Sequence, residues 1–274
     1  MTNSITGLIG YPVSHSRSPI IHAYWAEKYN VPTEYKLFTT APNRLRQTIL
    51  HMRKKNWRGL NVTIPHKQAV AEYLDGTDEI ATRIGAVNTI TNENGKLIGT
   101  NTDGYGFLEN LKQGLGDLTP ALKKVLLLGA GGATRAAIVA LWDAGARDIT
   151  LTNRTASTAE TMARHFGIKS VPWEAKEAAL SGATLLVNTT SLGMEGKPDL
   201  QLDISSLDSV AVVHDIVYAP LETTLVKSAK NKGLKTVDGL GMLLYQAQKA
   251  FELWHGIRPE VTEELRARTL AGAL

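Results

Sequence analysis

The chain is predicted to be an α/β protein of two domains, the second a doubly wound parallel sheet. Three observations point there. The apolar run Val125–Leu128 leads into a glycine turn, Gly129-Ala130-Gly131-Gly132-Ala133, and then into a helical pattern, which reads as strand, turn and helix start. That turn lies mid-chain, with over a hundred residues ahead of it. On both sides of it, short apolar runs alternate with stretches of helical spacing.

In the first hundred residues, Thr6–Gly10, Tyr35–Phe38 and Leu60–Ile64 have the character of short strands, separated by helical patterns at Pro19–Lys28 and Asn43–Lys54. Strands Val87–Thr91 and Leu97–Thr100 flank Asn92-Glu93-Asn94-Gly95, whose Asn-Gly pair supplies the positive φ angles of a hairpin turn. Asp103–Leu115 reads as a helix, and the loop Gly116-Asp117-Leu118-Thr119-Pro120 ends it. After Val125–Leu128 the order is helix Thr134–Asp143, strand Asp148–Thr152, helix Ser157–Phe166, then strands Thr184–Asn188 and Ala211–Asp215. A helix from Leu240 to Trp254 stops before Gly256, and its apolar face is expected to pack back on the first domain. The expected division is therefore residues 1–102 with 240–274, and residues 103–239.

Composition narrows the chemistry. With 43% hydrophobic and 20% charged residues the 274-residue chain has a globular balance, and its formal charge of +4 comes from scattered basic residues, not from a stripe. This favours small anions over nucleic acid as partners. No cysteine is present, which removes disulfides, thiolate nucleophiles and cysteine-ligated metals. No apolar run reaches the ~18 residues of a membrane span and the N-terminus lacks a basic targeting region, so the expectation is a cytoplasmic protein.

In the glycine turn, Gly129 permits the tight bend, Gly131 lets the backbone approach a pyrophosphate, and the small Ala133 or Ala136 permits close helix–strand packing. Glycine turns between strand and helix are also common for structural reasons alone. The end of the next strand adds to the signal. Where an acidic residue would bind the ribose 2′-hydroxyl of NAD, this chain has Asn153-Arg154-Thr155, and an arginine fork suits a 2′-phosphate. NADP(H) is therefore expected over NAD(H), although Arg154 is also explained as a solvated loop residue.

Further candidates lie in the first domain. Ser16-Arg17-Ser18-Pro19 opens a helix, with Pro19 in its first turn and Ser18 as a cap, which reads either as an ordinary cap or as an anion pocket. Asn61 and Thr63 fall on one face of a strand by two-residue alternation, and Pro65 is expected to begin a helix carrying Lys67 in its first turn. A cation at that end of a helix opposes the dipole, so Lys67 is either turned to solvent or held there for chemistry. Asp103, at a strand end and helix start, is the candidate carboxylate partner, unless it is only a cap. Asn88 is a polar residue among apolar ones and needs a partner if buried. No metal site is expected.

Taken together, these segments closely resemble the shikimate dehydrogenase family. The resemblance runs nearly end to end, through Gly10-Tyr11-Pro12-Val13-Ser14-His15-Ser16-Arg17-Ser18-Pro19, Asn61-Val62-Thr63-Ile64-Pro65-His66-Lys67, Gly85-Ala86-Val87-Asn88-Thr89, Asn101-Thr102-Asp103-Gly104, the glycine turn, Asn153-Arg154-Thr155, Asn188-Thr189-Thr190-Ser191-Leu192-Gly193-Met194, Asp215-Ile216-Val217-Tyr218-Ala219-Pro220 and Asp238-Gly239-Leu240-Gly241-Met242-Leu243-Leu244-Tyr245-Gln246. It implies an N-terminal α/β substrate domain, a Rossmann-type NADP-binding domain and a cleft between them. It further implies that Ser16 and Ser18 hold the carboxylate of shikimate, that Asn61, Thr63, Asn88, Asp103, Tyr218 and Gln246 contact the substrate, and that Lys67 and Asp103 form the catalytic pair. Thr189, Ser191, Ile216, Tyr218, Gly239 and Met242 would line the cofactor site. The implied reaction is NADPH-dependent reduction of 3-dehydroshikimate, the alternative being a quinate/shikimate dehydrogenase using NAD. Two departures stand out: Thr158 replaces a second basic residue of many NADP-using members, and Ala23 replaces a frequent Asn. The sequence leaves a homodimer open.

Overall fold

The computed structural model describes residues 4–272. The chain divides into two compact units, Met1–Asp103 with Leu244–Leu274, and Gly104–Leu243.

The first unit is built on a six-stranded mixed sheet. Its strands are β1 (Ser4–Gly10), β2 (Thr33–Thr39), β3 (Gly59–Val62), β4 (Gly76–Thr77), β5 (Thr89–Glu93) and β6 (Lys96–Thr100), in spatial order β2-β1-β3-β5-β6-β4. β1 pairs in parallel with β2 and β3, while β5 runs antiparallel to β3 and β6. The hairpin turns at Asn94 and Gly95, with φ of 54° and 92°, as the Asn-Gly pair predicts. Ile9, Leu60, Val62, Ile90 and Leu97 of the sheet cluster with Leu45, Ile49 and Met52 of helix α2 (Leu45–Lys54), which a short 3₁₀ turn at Pro42–Arg44 precedes. Helix α1 (Ser18–Lys28) contributes the buried Ile21 and Trp25. A helix not expected from the sequence, α3 (Glu79–Ile84), is capped by Asp78, whose carboxylate accepts the Ala81 N–H at 2.8 Å.

Helix α4 (Asp103–Leu115) leads into the second unit, whose sheet is wholly parallel. It comprises β7 (Val125–Leu128), β8 (Ile149–Thr152), β9 (Lys169–Val171), β10 (Leu185–Asn188), β11 (Val212–Asp215) and β12 (Lys235–Val237). Their order, β9-β8-β7-β10-β11-β12, reverses between β7 and β10, which makes the sheet doubly wound with its switch point at those two strands. Helices α5 (Gly132–Asp143), α6 (Ala156–Phe166) and α7 (Thr224–Asn231) supply the crossovers, with 3₁₀ turns between β9 and β10. The central strands β7, β8, β10 and β11 are buried at every position, and accordingly none carries a charged residue before its last position.

Helix α8 (Leu240–His255) carries the chain into the closing segment, where α9 (Glu263–Ala271) follows. Near its end, Trp254 is fully buried and donates its indole N–H to the Ile90 carbonyl at 3.0 Å, seating this part of α8 against the first sheet.

Two sequence expectations need correction. Pro65 starts no helix: residues 63–68 form turns, because the His66 N–H returns to the Thr63 carbonyl at 2.9 Å and the Lys67 carbonyl is taken by the Val87 N–H at 2.7 Å. Ser18 does not cap α1 but is its first residue. The Ser16 hydroxyl instead accepts the Ser18 N–H at 3.2 Å.

Candidate active site

Parallel and antiparallel pairing together bring the polar residues of the first unit to one edge of its sheet. β1 and β3 end there, the antiparallel β5 begins there with Asn61 opposite Thr89, and β6 returns there with Thr100 also opposite Thr89. Ser16 and Ser18 follow β1, Asn61 lies near the end of β3 with Thr63 and Lys67 beyond it, Asn88 precedes β5, and Asp103 follows β6. Gly10 makes the approach possible, since a Cβ there would lie 2.4 Å from Thr63 Cγ2.

Lys67 Nζ donates to Asp103 Oδ2 in an ion pair whose side chains are 18% and 8% exposed, so the pair is shielded yet reachable. The other carboxylate oxygen accepts from Asn88 Nδ2 at 2.8 Å, and the Asp103 N–H is held by Asn101 Oδ1 at 3.0 Å. Asn88 is almost fully buried and bonded at both ends of its amide. Its Nδ2 also reaches Thr102 Oγ1 at 2.9 Å, and its Oδ1 accepts from the Thr102 N–H and the Thr89 hydroxyl, both at 2.8 Å. Asn61 Nδ2 donates to Thr89 Oγ1 at 3.0 Å, and its Oδ1 accepts from the Tyr35 phenol at 2.9 Å. His66 Nε2 meets the Thr40 carbonyl at 2.6 Å and pins the loop that carries Lys67. Thr89, Thr102 and Tyr35 were not singled out from the sequence, because which hydroxyl meets which amide is set by strand register.

Gln246 is half-buried on α8 in the same unit, and Ser18 is buried at the start of α1. Chemically, the edge offers a proton donor fixed by a carboxylate, with hydroxyl and amide groups suited to a polyhydroxylated acid.

In the second unit, every residue expected at the cofactor lies at the carboxyl edge of the parallel sheet: Gly129–Ala133 after β7, Asn153–Thr155 after β8, Thr189 and Ser191 after β10, Ile216 and Tyr218 after β11, and Gly239 and Met242 after β12. Gly129 has φ of +107°, and a Cβ there would lie 2.8 Å from Thr189 Oγ1, so the turn admits only glycine. Thr189 ties the switch point together, donating to the Leu128 carbonyl and meeting Thr134 Oγ1, both at 2.7 Å. Above Gly131 a Cβ would meet nothing within 4 Å, leaving room for a phosphate beside the first turn of α5. Arg154 is exposed and forms no ion pair among the described residues, so its guanidinium is available to a phosphate. These features fit a dinucleotide bearing a 2′-phosphate. Among the described residues, no group of acidic or histidine side chains is placed to hold a metal ion.

A buried carboxylate underpins two of these loops. Asp215 accepts from Thr223 Oγ1 at 2.7 Å, from the Val217 N–H at 3.0 Å and from Asn188 Nδ2 at 3.0 Å, while Asn188 Oδ1 accepts from the Thr190 N–H and hydroxyl. Burial pushes the Asp215 carboxyl above its ordinary range, against the opposing pull of these donors.

Comparison with known proteins agrees with this geometry. Family models match the chain over residues 8–90 (shikimate dehydrogenase substrate binding domain), 111–193 (shikimate / quinate 5-dehydrogenase) and 239–264 (shikimate 5′-dehydrogenase C-terminal domain). The NADP(+) shikimate dehydrogenase of Paramagnetospirillum magneticum is 46% identical over 270 residues, covering 97% of this chain and 98% of the relative. The chain belongs to the shikimate dehydrogenase family. Among solved structures, the family enzyme from Thermus thermophilus, in complex with NADP(H) and shikimate, is 39% identical with a TM-score of 0.88, covering 97% of this chain and all of that one. A quinate dehydrogenase from Corynebacterium glutamicum in complex with NAD is 31% identical with a TM-score of 0.91, covering 99% and 100%. No helix among the described residues is long and apolar enough to cross a membrane.

Proposed function

We propose that this chain is a cytoplasmic NADP(H)-dependent shikimate dehydrogenase that reversibly reduces 3-dehydroshikimate to shikimate. The observation that carries the reading is the Lys67–Asp103 pair, locked by Asn88 at the polar edge of the first sheet. Cytoplasmic placement rests on chemistry: its substrates are charged and do not cross a bilayer unaided.

Gly129, Ala130, Gly131, Gly132 and Ala133 would hold the pyrophosphate of NADP, and Asn153, Arg154 and Thr155 its 2′-phosphate. Thr189, Ser191, Ile216, Tyr218, Gly239 and Met242 would line the remainder. When bound, the cofactor supplies or accepts the hydride. The Ser16 and Ser18 hydroxyls hold the substrate carboxylate, while Asn61, Thr63, Asn88, Tyr218 and Gln246 contact the rest of the molecule. In reduction, the Lys67 ammonium gives a proton to the ring oxygen at C3 as negative charge develops there, and regains one from water. In oxidation it takes that proton back. Asp103 holds the ammonium in line and accepts from the neighbouring hydroxyl.

A second reading, quinate oxidation with NAD, is favoured by the likeness to the quinate dehydrogenase, but Arg154 and the lack of a carboxylate after β8 oppose it. The deciding experiment follows reduced nicotinamide by its absorbance, with shikimate or quinate and with either oxidised cofactor. Shikimate with NADP should give the highest kcat/KM, about tenfold or more above shikimate with NAD. Faster turnover of quinate with NAD would overturn the proposal.

A further inference from the structure

We infer that Tyr35, half-buried on β2 beside Asn61, is a positioning residue that holds the Asn61 amide by satisfying its oxygen and, through it, sets the substrate affinity of the site. The inference rests on the function proposed above.

The hydrogen bonds form one polarised chain. The Tyr35 phenol donates to Asn61 Oδ1 at 2.9 Å, Asn61 Nδ2 donates to Thr89 Oγ1 at 3.0 Å, the Thr89 hydroxyl donates to Asn88 Oδ1 at 2.8 Å, and Asn88 Nδ2 donates to Asp103 Oδ1 at 2.8 Å, where Lys67 is bound. Each member has its proton committed in one direction. A primary amide is nearly symmetric in shape, and only its partners decide which end accepts and which donates. Here the Asn88 backbone carbonyl, which can only accept, takes a second bond from Asn61 Nδ2 at 3.4 Å, and Tyr35 satisfies and holds the opposite, accepting end. If Asn61 turned over, its oxygen would face Thr89, whose hydroxyl would have to turn toward it and release Asn88 Oδ1.

The ring beside the phenol does not compete for this role. Tyr35 is stacked on His22 at 4.2 Å and 8° between planes, and both histidine nitrogens are buried without a hydrogen-bond partner among the described residues, so that ring supplies packing and no polar contact. Burial pushes the phenol well above its ordinary range, which keeps it a donor throughout the working pH range.

The test is a double-mutant cycle of Tyr35→Phe and Asn61→Ala, reading kcat, KM for shikimate and KM for NADP. Tyr35→Phe keeps the ring and its stacking and removes only the hydroxyl. It should raise KM for shikimate roughly tenfold, the size of one lost hydrogen bond to a buried acceptor, leave KM for NADP within about twofold, and lower kcat less than it raises KM. On the Asn61→Ala background the same change should move KM for shikimate less than about twofold. A Tyr35→Phe enzyme with wild-type KM, or effects that simply multiply in the double variant, would overturn the inference while leaving the proposed function intact. A wild-type enzyme without activity on shikimate would overturn both.

Discussion

Lys67 illustrates what one residue can and cannot reveal. From the sequence it stood out for a helix-dipole argument that fails, since no helix begins at Pro65. Its true setting is a turn anchored by two tertiary bonds, Val87 N–H to the Lys67 carbonyl and His66 Nε2 to the Thr40 carbonyl. Among the described residues, the ammonium is then aimed by Asp103 alone. A group that acts mainly on developing charge contributes more to the transition state than to ground-state binding. Lys67→Ala should therefore lower kcat for shikimate by a factor on the order of 10² to 10⁴ with KM changed far less. Steady-state kinetics with NADP checks this, and a variant with near-normal kcat would remove Lys67 from proton transfer. The residues proposed to carry chemistry stand out in the sequence because lysine, aspartate and asparagine are conspicuous among apolar neighbours. The hydroxyls between them were not, because Thr89 and Thr102 are ordinary strand-end residues until Asn61 is known to lie opposite Thr89.

At the scale of elements, β10, β11 and α7 are joined by one side chain. Asp215 ends β11, holds Asn188 at the end of β10, and accepts from Thr223, whose hydroxyl in turn caps α7 by accepting the Val226 N–H at 3.2 Å. Removing the carboxylate leaves these donors buried without acceptors, each costing about 1–3 kcal/mol. Asp215→Ala should therefore destabilise the chain by several kcal/mol and raise KM for NADP through the loops at Thr189–Ser191 and Ile216–Tyr218. Urea unfolding together with KM for both substrates separates these effects. An unchanged midpoint would show that the node is not structural. Asp215 also marks where sequence reading worked and where it stopped. The central strands β7, β8, β10 and β11 were legible because burial on both faces fills them with aliphatic and β-branched residues up to their last one or two positions. The three-residue strands β9 and β12 begin with an exposed lysine each and carry too few apolar positions to show a period. Helices α3, α7 and α9 went unnoticed, although Asp78, Thr223 and Thr262 each cap one by accepting the backbone N–H three residues on.

At the scale of the whole molecule, each unit buries a histidine that must stay neutral. His22 in the first unit is enclosed by Tyr35, Trp25, Phe251 and Trp254, and burial lowers its pKa from 6.5 to about 3. His214 in the second stacks on Phe107 at 5.0 Å, and burial lowers it to about 4 against the pull of Asp238. In the unfolded chain both protonate near pH 6.5, while in the folded chain neither does until the pH falls by two units or more. The unfolded state therefore binds more protons across that window, and stability falls as pH drops from about 6.5 toward 4. By pH 5 each histidine costs on the order of 2 kcal/mol relative to neutral pH. His255, which burial lowers to about 4, acts in the same sense, and the carboxylates held below their ordinary range, Asp75, Asp117, Glu177, Asp203 and Glu222, act below this window, because their unfolded values lie near 4. Asp215 works in the opposite sense, its raised pKa favouring the folded form as acid is added. The wild-type slope thus mixes signs, and the decisive measurement is a difference: denaturant unfolding of wild type and His22→Phe at about pH 7.5 and about pH 5. The stability lost between the two pH values should be smaller in His22→Phe by on the order of 2 kcal/mol, since phenylalanine fits the aromatic nest and has no proton to gain. Equal losses in the two proteins would mean that the folded first unit accommodates a charged His22, and that its aromatic enclosure opens more readily than its burial implies.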